Sequence, residues 1–278
     1  MRVSIVIPTY NNASSIGRSV RSAFAQSHKD IEVICVNDGS TDDTSKELSK
    51  LQNEYALLKV IQHENKGGGA ARNAGLSAAN GDYIQFLDAD DELLPDKITS
   101  DLDQFGVDRP AVVFGAMQMV NDHGDVLETR NPDLSEGVWV GMMRTKLGQT
   151  SAMLWHKETA VKAGGWDETL TSSQEYDLLL RVLVLNPHWV VQPEPMVKVE
   201  EREDSVSRNA AKQAKNWLNY ATLRKRILDT AMQVWPEGET ALYSSLFDAV
   251  RTWSMHDRKA AVHFFRQHFP KGYRPVVS

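Results

Sequence analysis

The stretch NKGGGAARNAGLSAANGDYIQFLDADD, residues 65–91, sets three unlike textures end to end. A glycine run opens a small-residue helical pattern over about 70–79, and a strand pattern follows at 82–87. Directly beyond that strand stand the carboxylates Asp88, Asp90, Asp91 and Glu92. Helix, buried strand and polar strand end in succession form the repeating unit of a doubly wound sheet. The same unit recurs toward the N-terminus. VSIVIP (3–8), EVICVN (32–37) and LLKVIQ (57–62) are further β-branched runs, and helical segments are predicted over 16–25 and 44–53 between them. Unbroken apolarity in the first two runs predicts strands covered on both faces, and connections of about ten or more residues suit right-handed parallel crossovers.

Beyond Pro95 the texture changes. AVVFGAMQM (111–119) reads as another strand, NDHGDV (121–126) as a hairpin turn, and the segment up to about 170 as irregular, glycine-rich chain with short helices. A strong helical pattern returns at QEYDLLLRVLVL (174–185). From 208 onward Ala, Lys, Arg, Leu and Trp recur at helical spacing, broken at WPEGE (235–239), which predicts a C-terminal extension of two or three helices. Its basic, aromatic part, KNWLNYATLRKRIL (215–228), suits either a helix lying on a membrane surface or partner, or one packed against its own protein.

With 278 residues, 41% hydrophobic and 24% charged, the chain can bury a sizeable core. No apolar run approaches the roughly 20 residues that span a bilayer, and the N-terminus opens on a strand rather than a leader, so a cytoplasmic location is expected. The single cysteine, Cys35, excludes an internal disulfide and reads as a buried thiol. A net charge of −6 argues against nucleic acid as a partner, and a phosphorylated ligand would need a bridging cation.

In doubly wound sheets ligands bind beyond the carboxyl ends of the strands. Here those ends carry PTYNN (8–12), NDGSTDD (37–43), HENKGGGAARNAG (63–75) and DADDE (88–92). Asp38 either accepts from a base N–H or a hydroxyl, or caps its own turn. The glycine loop offers backbone N–H groups at a helix start, with Lys66 and Arg72 adding positive charge, as a phosphate cradle would. It has neither of the spacings of the common nucleotide loops. A cap needs one carboxylate, whereas Asp88 and Asp90 place two toward one concavity. Hard divalent ions take a few carboxylates plus diphosphate oxygens, so Mg²⁺ or Mn²⁺ is the expected occupant.

VSIVIPTYNN, VNDGSTDDT, NKGGGAARNAGLSAANGDYIQFLDADD and GGWDETLTSSQEYDLLLRV, in that order, resemble the inverting family-two glycosyltransferases of the GT-A fold, over about residues 1–205. The resemblance implies an α/β, Rossmann-like mixed sheet flanked by helices. A GT-A domain at 1–207 would divide into a nucleotide-binding half (1–95) and an acceptor-side half (96–207), with a helical extension at 208–278. It further implies a nucleotide-diphospho-sugar donor with Pro8, Tyr10 and Asp38 near the base, Asp88 at the ribose or diphosphate, and Asp90 on the metal. Glu175, in the Gln174-Glu175 pair, matches the family's base, which takes a proton from the acceptor hydroxyl as that oxygen attacks the anomeric carbon. Trp166 and Asp167 would line the acceptor or sugar side, although Trp166 reads equally as a core aromatic. Asp177 is expected to cap the helix or pair with Arg181.

One position departs from the pattern: Arg202 stands where many relatives carry a histidine, and a guanidinium can pair with a diphosphate but cannot ligate a metal. His63, His123 and His156 lack ligand spacing, so no zinc site is expected. The function implied is transfer of one sugar to a hydroxyl of a glycan or lipid-linked glycan. A lipid-linked acceptor would bring the C-terminal helices to the inner membrane surface. Two alternatives stand beside it: a nucleotidyltransferase acting on a sugar phosphate, and a nucleotide-sugar-binding module without turnover.

Overall fold

The computed structural model describes residues 1–201 and 213–275. Four parallel strands open the chain: β1 (Val3–Thr9), β2 (Ile31–Asp38), β3 (Leu58–His63) and β4 (Tyr83–Phe86). The connections are α1 (Ile16–Phe24), α2 (Thr44–Glu54) and α3 (Gly68–Ala78), within a few residues of the boundaries read from the sequence. Alternation along a strand decides which helix covers which face. Ile5 and Ile7 of β1 join Ile16 and Val20 of α1 and Leu48 and Leu51 of α2 in one core cluster. Val6, between them, faces Gly75 of α3, where a Cβ would meet the Val6 Cγ1 at 2.2 Å. Helix and strand approach this closely because the residue is glycine.

The remaining strands make the sheet mixed. After β5 (Glu92–Leu93) and α4 (Lys97–Asp103) come β6 (Val112–Val120) and β7 (Val126–Arg130), the hairpin expected around 121–126. The segment read as irregular contains α5 (Val138–Met143), a 3-10 turn at Thr150–Ala152, β8 (Leu154–His156) and α6 (Lys157–Lys162). Then follow α7 (Gln174–Leu185) and β9 (Trp189–Glu200). Among the described residues the strand order is β3-β2-β1-β4-β8-β6-β9-β5, with β7 on β6. β8 lies antiparallel to both β4 and β6 and joins the parallel half to the rest.

At the end of the sheet away from the polar loops, Glu32 is buried and accepts from the Ser4 hydroxyl at 2.6 Å, Lys59 Nζ at 2.7 Å and the Asn80 N–H at 2.5 Å. Burial opposes its charge, but these donors outweigh it and hold the carboxyl down to about 2. Cys35 is buried, and burial pushes its thiol up.

The contacts divide the chain into two units. The first comprises 1–132, 148–169 and 177–202 and holds the whole sheet; the second comprises 133–147, 170–176 and 203–278. Within the second, α8 (Gln213–Val234), α9 (Glu239–Ser254) and α10 (Arg258–His268) form the extension, and α5 packs on α8 and α9. Part of the basic, aromatic stripe is turned inward. Leu223, Ile227 and Leu228 are buried, Trp217 stacks on His256 at 5.3 Å, and Arg224 is 1% exposed over the Tyr220 ring. Burial lowers the Arg224 guanidinium to about 10, still charged at neutral pH. No helix among the described residues is long and apolar enough to cross a membrane.

Candidate active site

The loops beyond β1 and β2 are sewn together by short polar side chains. Asn11, at a left-handed φ of 55°, accepts the Thr41 N–H at 2.8 Å, and its own N–H donates to Ser40 Oγ at 3.0 Å. The Asn12 N–H donates to Thr44 Oγ1 at 2.9 Å. Pro8 sits within β1, and Tyr10 is 46% exposed at the mouth of these loops. Asp38 is buried, and its two oxygens accept the N–H groups of Lys66 and Gly67, each at 2.8 Å. The carboxylate that the sequence offers to a base therefore also fixes the entrance of the glycine loop. Gly67 there has a φ of 94°, which a side chain would disfavour.

The four carboxylates beyond β4 go to four different fates. Asp88 accepts Arg72 Nη2 at 2.7 Å, and the Arg72 guanidinium lies 4.7 Å over the Trp166 ring. Asp90 is partly exposed, and its backbone carbonyl accepts Arg18 Nη2 at 2.7 Å. Asp91 is turned inward and accepts from the Ser151 hydroxyl at 2.5 Å; burial first, then the charges of Asp88 and Asp90, raise its carboxyl well above the usual range. Glu92 lies 3.9 Å from Arg18. Two guanidinium groups, Arg72 at Asp88 and Arg18 near Glu92, and the burial of Asp91 thus relieve the repulsion.

Trp166 is 2% exposed and meets Phe86 edge-on at 5.1 Å, which makes it a core aromatic that braces Arg72 rather than a wall of open surface. Its backbone exchanges hydrogen bonds with Asn73: the Trp166 N–H donates to Oδ1 at 2.8 Å, and Nδ2 donates to the carbonyl at 2.9 Å. Asp167 caps its own turn, accepting from the Thr169 N–H and hydroxyl at 2.9 and 2.7 Å. Asp177 receives Arg181 Nε and Nη2 at 3.0 and 2.6 Å, the pairing expected from the i,i+4 spacing. Gln174 and Glu175 open α7 within the second unit. Arg202 lies outside the described residues.

Sequence reasoning missed Arg18, Ser19 and Ser151, which bind this loop from elsewhere in the chain. Ser19 Oγ donates to the Asp91 carbonyl at 2.6 Å, and Ser151 also accepts the Asp88 N–H at 3.0 Å. Serines in a small-residue helix or in a segment without periodicity carry no local signal.

Among the described residues no three His, Cys, Asp or Glu side chains gather as a metal site. The donor set that is present, Asp90 beside an Arg72-paired Asp88, suits an ion that takes one or two carboxylates and completes its shell with diphosphate oxygens and water, as Mg²⁺ and Mn²⁺ do. The residues fit such an ion.

A family model described as Glycosyl transferase family 2 matches residues 4–160. Chondroitin synthase of Escherichia coli is 34% identical over 193 residues, which are 66% of this chain and 27% of that protein. The chain spans about half the length, or less, of the curated relatives it matches. Among solved structures, S. aureus TarS 1-349 in complex with UDP-GlcNAc superposes with a TM-score of 0.65 at 19% identity, covering 90% of this chain and 81% of that one. A mannosyltransferase of Pyrobaculum calidifontis in complex with GDP-Man and Mn²⁺ gives 0.64 at 15% identity, covering 96% and 79%. These likenesses carry the fold, and the family model covers more than half of the sequence: the chain belongs to glycosyl transferase family 2 and has the GT-A fold.

Proposed function

We propose that the protein transfers one sugar from a nucleotide-diphospho-sugar donor to a hydroxyl of a glycan or lipid-linked glycan, by a single displacement that inverts the anomeric centre. The observation that carries this reading is the Asp88–Asp90 loop beyond β4, with Arg72 beside it and the glycine loop anchored on Asp38. Relatives and neighbours support it: one is a chondroitin synthase, one holds UDP-GlcNAc and one holds GDP-Man with Mn²⁺. Pro8, Tyr10 and the remaining lone pairs of Asp38 take the base, Lys66 and Arg72 take the diphosphate, and Asp88 orients the ribose or diphosphate. Mg²⁺ or Mn²⁺, held through Asp90, supplies positive charge against the departing nucleoside diphosphate. Glu175 accepts the proton of the acceptor hydroxyl as the C–O bond forms on the face opposite the leaving group.

Calorimetric titration with UDP and GDP, each with and without Mn²⁺, tests the donor half, and the released product tests the chemistry. One nucleoside diphosphate should bind only with metal, and Asp90→Ala should abolish that binding. Glu175→Ala should keep donor binding and lower transfer about 10³-fold. Release of pyrophosphate would overturn the reading in favour of nucleotidyl transfer, and near-normal turnover in Glu175→Ala would remove Glu175 as the base.

A further inference from the structure

Ser151 lies in the 3-10 turn before β8, fully buried, sixty residues beyond the loop it touches. Its hydroxyl has both of its hydrogen-bonding capacities in use on that loop: it accepts the Asp88 N–H at 3.0 Å and donates to Asp91 Oδ2 at 2.5 Å. Its carbonyl is held as well, accepting Gln85 Nε2 at 2.8 Å. Gln85 in turn accepts from Lys97 Nζ, and Lys97 pairs with Asp101 at 2.5 Å. Gln85, Lys97 and Asp101 are all 0% exposed. A buried ion pair is a weak source of stability, and apolar residues of the same volume often serve a core better. What this one does supply is a fixed seat for Gln85, and through it for Ser151.

The opposite side of the loop is fixed independently. Ser19 Oγ binds the Asp91 carbonyl at 2.6 Å, and Arg18 Nη2 binds the Asp90 carbonyl at 2.7 Å. The backbone at 88, 90 and 91 is therefore held from outside at each residue. Ser19 Oγ reaches two carbonyls, Asp91 at 2.6 Å and Asp88 at 3.5 Å, whereas Ser151 holds the Asp88 N–H and the Asp91 carboxylate.

We propose that Ser151, seated on the Gln85–Lys97–Asp101 chain, is a positioning residue that sets the Asp88–Asp90 loop in advance for a divalent cation bound to a nucleoside diphosphate. The proposal rests on the reading of Asp90 as the metal-binding carboxylate. Preorganisation of this kind acts on the affinity for the ion rather than on the chemical step, because the loop otherwise has to be ordered when the ion arrives.

The test uses the full chain and Mn²⁺ titrated calorimetrically into protein saturated with whichever of UDP or GDP binds. Ser151→Ala is expected to weaken Mn²⁺ affinity about tenfold while the turnover at saturating Mn²⁺ stays within about threefold of wild type, and Ser151→Thr, which keeps the hydroxyl, to restore affinity. Leu58→Ala, a core deletion in β3 remote from the loop, serves as the stability control and should lower the melting temperature without moving Mn²⁺ affinity. Wild-type Mn²⁺ affinity in Ser151→Ala, or an equal shift in Leu58→Ala, overturns the proposal. Should Ser151→Ala fail to fold, Ser151→Cys keeps the volume with weak hydrogen bonding, and the same two outcomes decide. Absence of metal-dependent binding in the wild type would instead bring down the Asp90 reading, and this inference with it.

Discussion

Arg72 applies its charge and its plane to different partners. One Nη donates to Asp88 at 2.7 Å, and the flat guanidinium lies 4.7 Å from the centroid of the buried Trp166 ring. Lysine would keep the charge and lose the plane. Arg72→Lys should therefore lower kcat/KM about tenfold, roughly 1.4 kcal/mol, with most of the change in the donor KM. Steady-state kinetics with the donor varied checks this, and an unchanged KM would mean that Arg72 only braces the loop. The sequence offered Arg72 as part of a phosphate cradle, since a cation in a glycine run at a helix start is a local signal. Its pairing with Asp88, sixteen residues on, depends on how α3 and β4 meet and was not legible. Asp38 shows the same limit. Its place beyond a buried strand was readable, whereas the two N–H groups it accepts come from a different loop.

Among the elements, those with a strong apolar pattern were readable and those defined by pairing were not. β1 to β4 and α1 to α3 follow from β-branched runs and amphipathic spacing, because burial on one face or both decides them. β8 has three residues and β5 two, too few for a period, and each exists as a strand only through its neighbours. β9 carries Pro193 and Pro195, which argue against a strand within a sheet. The sheet accommodates them where the β6–β9 register shifts, between Gly115 and Ala116 and again before Gln118. Close packing at α3 gives the test at this scale. A Cβ on Gly75 would stand 2.2 Å from Val6 Cγ1, so α3 or β1 must move to admit it. Gly75→Ala should destabilise the fold by about 1–3 kcal/mol in urea unfolding, and Gly75→Ala with Val6→Ala should regain part of that loss. A neutral single variant would show that helix and sheet are less closely set than this contact implies.

For the whole chain, the decisive matter is where it can be cut. Composition changes at about 208, and the sequence accordingly suggests a catalytic domain ending at 207 with an appendage beyond it. The contacts group 133–147 and 170–176 with the C-terminal helices, so the second unit is assembled from three separated segments. Within that unit α5 packs on α8 and α9, and its Val140, Met142 and Met143 are at most 1% exposed. Tyr176 is 2% exposed, and its hydroxyl accepts the Leu147 N–H at 2.9 Å. Each apolar side chain uncovered by removing α8 and α9 forfeits about 1.5–3 kcal/mol of burial, so losing several together rivals the net stability of a domain. A chain ending at residue 207 should therefore bind a hydrophobic dye, melt well below the full chain and lose transfer. Transfer should fall further than nucleotide binding, because the cut strips α8 and α9 from the unit that holds Glu175, the proposed base. Thermal melts, dye binding and calorimetry on the two lengths separate the cases. If the shorter chain melts like the full one and still transfers sugar, the extension is an appendage and the boundary at 207 is a true domain edge.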